Sequence, residues 1–198
     1  HYVDSTVRFT EITNGGPGGA GDNFVEITNL GDEPVDVSGW EMYRCVGTGR
    51  VYNDTHQFDM PDGTLEPGEV FVAARSGNAS TIDNPDTEYH TSFNADAGFG
   101  VMLVDENRGI IDSVGVFTRV DSACTQGEPL PNNLDFDSAQ SYQRVADTGN
   151  NAEDFIRAVR TPGEHAPEQL NEIQWPAETE AGDLLINEVA GGGVNGHE

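Results

Sequence analysis

Glu11 and Glu26 each sit among apolar neighbours, in Phe9-Thr10-Glu11-Ile12 and Phe24-Val25-Glu26-Ile27, and the glycine-rich stretch from Asn14 to Asp22 separates them. If the two segments are adjacent strands, the carboxylates come close together, with Asp22 and Asn23 beside them. Hard oxygen donors gathered in this way suit Ca2+. Glu11, Asp22 and Glu26 are therefore the candidate metal ligands. The alternative is that both glutamates point to solvent or accept backbone N–H bonds from the loop. A second oxygen-rich group, Asp83, Asp86 and Asp96 with Asn84 and Asn94, lies in the polar segment 76–96, where nothing matches an EF-hand loop.

Nucleophilic catalysis finds little to work with. A nucleophile needs a positioned base, and the histidines His1, His56, His90, His165 and His197 fall in polar or terminal segments. No HExxH, Gly-x-Ser-x-Gly or phosphate-cradling motif occurs. The glycines between Gly15 and Gly21 follow a strand pattern, but no helix pattern follows them, so the dipole that binds phosphate is missing. Cys45 and Cys124 are the two cysteines and allow one connectivity. Oxidised, they would close a long loop, for which chain entropy gives about 4 kcal/mol. The alternative is two buried free thiols, but an acidic, glycine-rich chain without lysine reads as exported, where disulfides persist.

The elements that must position these residues are short strands. Val7 to Ile12 alternates apolar and polar with period two, as a half-buried strand does. Phe24 to Ile27 is the next strand, and Val35 to Trp40 is a strand or strand-like edge. Glu41 to Val46 follows, with Met42 on one face and Tyr43 and Cys45 on the other. Gln57 to Met60 is short and stops at Pro61-Asp62-Gly63, a strong turn signal. Val70 to Ala74 reads as a core strand. Residues 76–96 read as a long polar excursion. Strands at 99–104 and 110–117 flank an Asp105–Gly109 hairpin turn, with Gly109 expected to supply a positive φ. Ser141 to Val145 is a further strand, and Asn151 to Val159 holds either a helical turn or an edge strand. Nothing sustains a helical period, so the fold class is all-β.

Charge bounds the partners. Thirty-five acidic residues face nine basic ones, all arginine, for a formal net charge of −26. Phosphate backbones and anionic lipid both need a positive footprint, so nucleic-acid binding is not expected. The acidity itself has three readings: a solvated self-repelling surface, adaptation to high salt, or divalent-cation sites. No apolar run is long enough for a membrane-spanning helix, so membrane insertion is not expected. No charged-then-apolar leader opens the chain at His1, so it reads as a processed or excised piece.

Several segments together resemble the lamin tail domain family. Asn29-Leu30-Gly31-Asp32-Glu33-Pro34-Val35-Asp36-Val37-Ser38-Gly39-Trp40 is similar to its most recognisable stretch, a glycine turn followed by V-D-(L/V)-S-G-W. The two glutamate strands, Gly63 to Val72, Ile110 to Val114, Asn151 to Phe155 and Thr161-Pro162-Gly163 follow in the family's order, so the resemblance spans roughly residues 7–165. It implies an immunoglobulin-like β-sandwich. It also implies an accessory domain of secreted prokaryotic proteins, often beside extracellular hydrolases or in repeats; in nuclear lamins the same fold is a protein-interaction domain. This chain has neither coiled-coil heptads nor a basic import run, which speaks against a nuclear role.

Within that frame, Trp40 should bury its ring between the sheets rather than serve as a carbohydrate platform. Residues 5–165 are expected to form the sandwich domain and 166–182, rich in Glu, Pro and Gln, a linker that holds Trp175. Leu184 to Gly193 repeats the pattern of Val7 to Gly16, so 183–198 reads as the first strand of a second, tandem copy. An orphaned strand has an exposed edge, which makes strand-mediated self-association an expected contact. The functional expectation is a non-catalytic extracellular or cell-surface module that binds or tethers a protein or a cell-surface polymer. Two alternatives stand beside it: a rigid acidic spacer without a ligand, and an accessory part of a metal-dependent hydrolase.

Overall fold

Alternation and turn chemistry produce a two-sheet sandwich. The structure, a computed structural model, describes residues 1–93, 98–116 and 122–165. Residues His1–His165 form one unit. Among the described residues the strands are β1 (Val7–Ile12), β2 (Phe24–Asn29), β3 (Val35–Asp36), β4 (Glu41–Val46), β5 (Val51–Asp59), β6 (Thr64–Leu65), β7 (Val70–Arg75), β8 (Thr87–Tyr89), β9 (Phe99–Val104), β10 (Ile110–Val116), β11 (Gln140–Arg144) and β12 (Phe155–Val159). One helical turn, α1 (Asn151–Asp154), precedes β12. A six-stranded sheet runs β12-β11-β1-β2-β7-β8, a four-stranded sheet runs β10-β9-β4-β5, and β3 pairs with β6. The result is the all-β, immunoglobulin-like class that the sequence predicts.

The core fills the space between the two sheets. Phe9, Ile12, Val25, Ile27, Phe71, Ala73 and Tyr142 from one sheet join Met42, Phe58, Phe99, Val101, Leu103 and Val114 from the other. Phe9 and Ile12 are three residues apart, an odd spacing that a regular strand would split between its faces. The β1–β2 register shifts between Phe9 and Glu11, and that bulge returns both apolar residues to the core. Aromatic rings continue the core along one side, with Phe93 stacked on Phe99 at 4.8 Å and Tyr89 on Phe93 at 5.6 Å.

Trp40 is held where β3 ends. Gly39 has φ +73°, a left-handed turn residue. Trp40 N–H donates to the Val37 carbonyl, and the Trp40 carbonyl accepts from Met60 N–H at 2.9 Å. Its side chain is buried in the core. On the outer face of the four-stranded sheet, Cys45 and Cys124 form a disulfide packed against Tyr43, Met102 and Val104. Met42 and the pair Tyr43 and Cys45 therefore lie on opposite faces of β4, as the alternation predicts.

Four local expectations are revised. The strand expected at 57–60 begins six residues earlier, at Val51, and its middle, Asn53 to His56, is polar and faces water along a sheet edge. The 35–40 segment keeps only Val35–Asp36 as strand, the rest being the turn that delivers Trp40. The 76–96 excursion contains β8, which pairs in parallel with β7. In the 105–109 turn the positive φ belongs to Arg108, at 68°, and not to Gly109. Glycine is needed at 109 for space: a Cβ there would stand 2.6 Å from Val3 Cγ1. Residues 151–159 form both a helical turn and an edge strand.

Candidate functional site

The strands bring Glu11 and Glu26 face to face as cross-strand partners, because the β1 bulge moves Glu11 into register with Glu26. Both are buried on the outer face of the six-stranded sheet. Their oxygens meet protein donors, chiefly from the segment that closes the domain. Glu11 accepts from the Thr161 backbone N–H at 2.9 Å, the Thr161 hydroxyl at 3.1 Å and the Ser141 hydroxyl at 2.5 Å. Glu26 accepts from Gly163 N–H at 3.0 Å and the Thr10 hydroxyl at 2.7 Å. The two carboxylates thus latch residues 161–163 across the sheet.

Asp22 serves the same closing segment by another route. Arg160 Nη1 donates to its carboxylate at 2.8 Å, the Thr81 N–H and hydroxyl each at 2.7 Å, and Gly18 N–H at 3.1 Å. The carboxylate oxygens of Glu11, Asp22 and Glu26 do not gather as a three-ligand cluster within 4.8 Å. The glycine-rich loop is explained by this arrangement. A Cβ on Gly16 would lie 1.7 Å from Arg160 Nη1, and one on Gly15 would lie 2.0 Å from the Phe136 carbonyl oxygen.

Electrostatics separates the three carboxyls. Burial pushes Glu26 up to about 7, with the adjacent Glu11 adding to the rise, against hydrogen bonds from Thr10 and Gly163. Burial likewise raises Glu11, opposed by Ser141, Thr161 and Arg160. Burial also works against the charge of Asp22, but Arg160, Thr81 and Gly18 outweigh it and hold that carboxyl below the ordinary range.

A second buried charge cluster escapes sequence reading. Arg144 donates to Asp112 at 2.8 Å and to the Phe9 carbonyl at 2.8 Å, lies 3.4 Å from Asp154, and stacks on the Phe155 ring. Burial raises the Asp112 carboxyl, and Arg144 is the first group to oppose it. The one available signal was an aspartate set inside the apolar run Ile110–Val116.

Other candidates fall in the 76–96 segment and beyond it. Asp86 is committed to the fold: its carboxylate accepts from Val72 N–H at 2.8 Å. Asp83 and Asn84 are exposed, and Asn84 has a positive φ. His90 shares a hydrogen bond with the Ser76 hydroxyl on an exposed surface. Asn94, Asp96, Trp175, the 166–182 linker and the 183–198 strand lie outside the described residues.

One groove opens beside Trp40. It encloses about 530 Å³ and is lined by Val3, Val35, Trp40 and Ile111 together with Asp4, Asp32, Glu33, Asp36, Asp105 and Glu106. No basic residue lines it. An apolar lining flanked by six carboxylates suits a ligand that carries both positive charge and apolar surface.

The family model described as Lamin Tail Domain matches residues 2–118. No curated protein matches the chain.

Proposed function

From its membership in the lamin tail domain family, we propose that this chain is a non-catalytic extracellular binding or tethering module of a larger exported protein, which engages a protein or cell-surface polymer through the Trp40 groove. Family membership and the β-sandwich are compatible with a non-catalytic module. The Cys45–Cys124 disulfide supports an oxidising location. No helix among the described residues is long and apolar enough to cross a membrane. The groove is the observation that carries the binding reading, because it combines apolar lining with charge of one sign in a single concave surface.

The test uses a peptide of alternating lysine and leucine as the probe, titrated into the 198-residue chain by calorimetry at low and high salt. The expected result is saturable one-to-one binding that weakens with salt and is lost with Asp32→Asn and Glu33→Gln together. A distant pair, Asp83→Asn with Asp135→Asn, removes the same charge and should leave binding intact. Equal loss from both pairs would mean diffuse attraction to the −26 chain and would sink the groove reading.

A further inference from the structure

We propose that Glu41, His56 and Asp59, on the outer face of β4 and β5, form a binding site for a divalent transition-metal ion of the zinc class. The backbone builds this cluster through an irregularity. Glu41 pairs with Asp59 and Met42 with Phe58, but Tyr43 then pairs with His56, leaving Gln57 unopposed. Met42 and Phe58 point into the core, so Glu41 and Asp59 face outward. His56, three residues before Asp59, would face inward on a regular strand; the bulge at Gln57 turns it out beside them. Bulges re-aim side chains in this way.

The three residues stand close enough to share one ion. His56 Nδ1 lies 3.7 Å from Glu41 Oε1, and Nε2 lies 3.4 Å from Asp59 Oδ1. One ligand atom from each residue falls within 4.8 Å of the others. Charge-assisted hydrogen bonds between such groups close to about 2.7–2.9 Å. Ligand atoms around a tetrahedral ion with bonds near 2.1 Å stand about 3.4 Å apart. A small rotation of the half-exposed imidazole brings one ring nitrogen to the ion.

The surroundings orient the ligands. Tyr43 donates to Glu41 Oε2 at 2.5 Å and Arg108 to the same oxygen at 2.8 Å, which leaves Oε1 turned to His56. The Tyr43 ring meets the imidazole edge-on at 6.1 Å. Partners of this kind fix ligand geometry in metal sites. An imidazole with two carboxylates selects zinc-class ions over Ca2+, in contrast to the all-oxygen pair at Glu11 and Glu26. A bound ion would also fasten the edge strand β5 to β4.

The experiment titrates Zn2+ into the 198-residue chain in competition with a chromogenic chelator, with circular dichroism verifying that each variant is folded. The wild-type chain should bind one equivalent more than His56→Ala. Asp59→Asn should weaken that equivalent at least about tenfold, while His90→Ala should keep it. Zn2+ should raise the melting temperature of the wild-type chain and leave that of His56→Ala unmoved, and millimolar Ca2+ should not displace it. Superimposed isotherms for wild type and His56→Ala, or displacement by Ca2+, would overturn the site.

Discussion

Replacing Glu26 by glutamine should stabilise the chain, and by more as the pH rises. Folded Glu26 titrates near 7 against an ordinary value of 4.5, first because it is buried and next because Glu11 faces it. The folded state therefore holds this proton more tightly than the unfolded chain. The stability it contributes is fully present below 4.5 and is lost as the pH climbs through 7. Each pH step in that window costs about 1.4 kcal/mol, so the whole interval amounts to about 3 kcal/mol. Glutamine imitates the protonated form at every pH. Its carbonyl can accept from Gly163 N–H, and its amide can donate to Thr10, whose hydroxyl already shares a bond with Thr28 at 2.7 Å. Urea unfolding of both chains at fixed ionic strength from pH 5 to 8 measures the difference. It should grow with pH to about 3 kcal/mol in favour of Glu26→Gln. In a Glu11→Gln background the window should move to lower pH, because the neighbouring charge is gone. A difference that stays flat with pH, or a less stable variant at pH 8, would refute the reasoning.

Arg144→Met should destabilise by about 3–5 kcal/mol, since it strands Asp112 and Asp154 without their cation; adding Asp112→Asn should recover part of the loss in the same unfolding assay. Reducing the disulfide, or replacing Cys45 and Cys124 by serine, should lower stability by about 4 kcal/mol in chemical denaturation, given a sequence separation of 79. Gly16→Ala should cost about 1–3 kcal/mol by driving Arg160 off Asp22, and the loss should shrink when Arg160→Ala is already present. Trp40→Ala should cost about 3–5 kcal/mol by calorimetry, as expected for an aromatic ring removed from the core.

What the sequence reveals here depends on whether a residue's environment is local. The two faces of β4, the turn at Pro61-Asp62-Gly63 and the closeness of Glu11 to Glu26 follow from period-two alternation and short loops, both read within ten or twenty positions. The first part of β5 escapes because an edge strand facing water carries no apolar alternation: Val51 to His56 give no strand signal, yet Val51 and His56 pair with Cys45 and Tyr43 of β4. The same blindness hides His56, whose neighbours come from a bulge that no periodicity announces. Arg144 and Arg160 look like ordinary surface charges until segments remote in sequence supply their partners, Phe9 and Asp22 from more than a hundred residues away and Asp112 from 32. The glycines at 15 and 16 were legible as loop residues, but the reason for them, close approach by Phe136 and Arg160, comes from the far end of the domain.

The latch on Glu11 and Glu26 bears on how the domain is assembled in time. β1 lies between β2, which follows it after the glycine-rich loop of residues 13–23, and β11, at the opposite end of the unit. As the chain emerges from its N-terminus, the first hairpin can form early. Its outer edge stays open until residue 144, and its two buried acids lack their closing donors until Thr161 and Gly163 arrive. Pairings of such high contact order fold slowly, on the scale of milliseconds to seconds. A fragment ending at residue 118, where the family match stops, would keep an unpaired strand edge and two acids without these backbone donors, and is expected to associate through that edge rather than fold alone. The final turn of the domain thus works as a completion signal: the sheet becomes stable only once the whole of its length has been delivered.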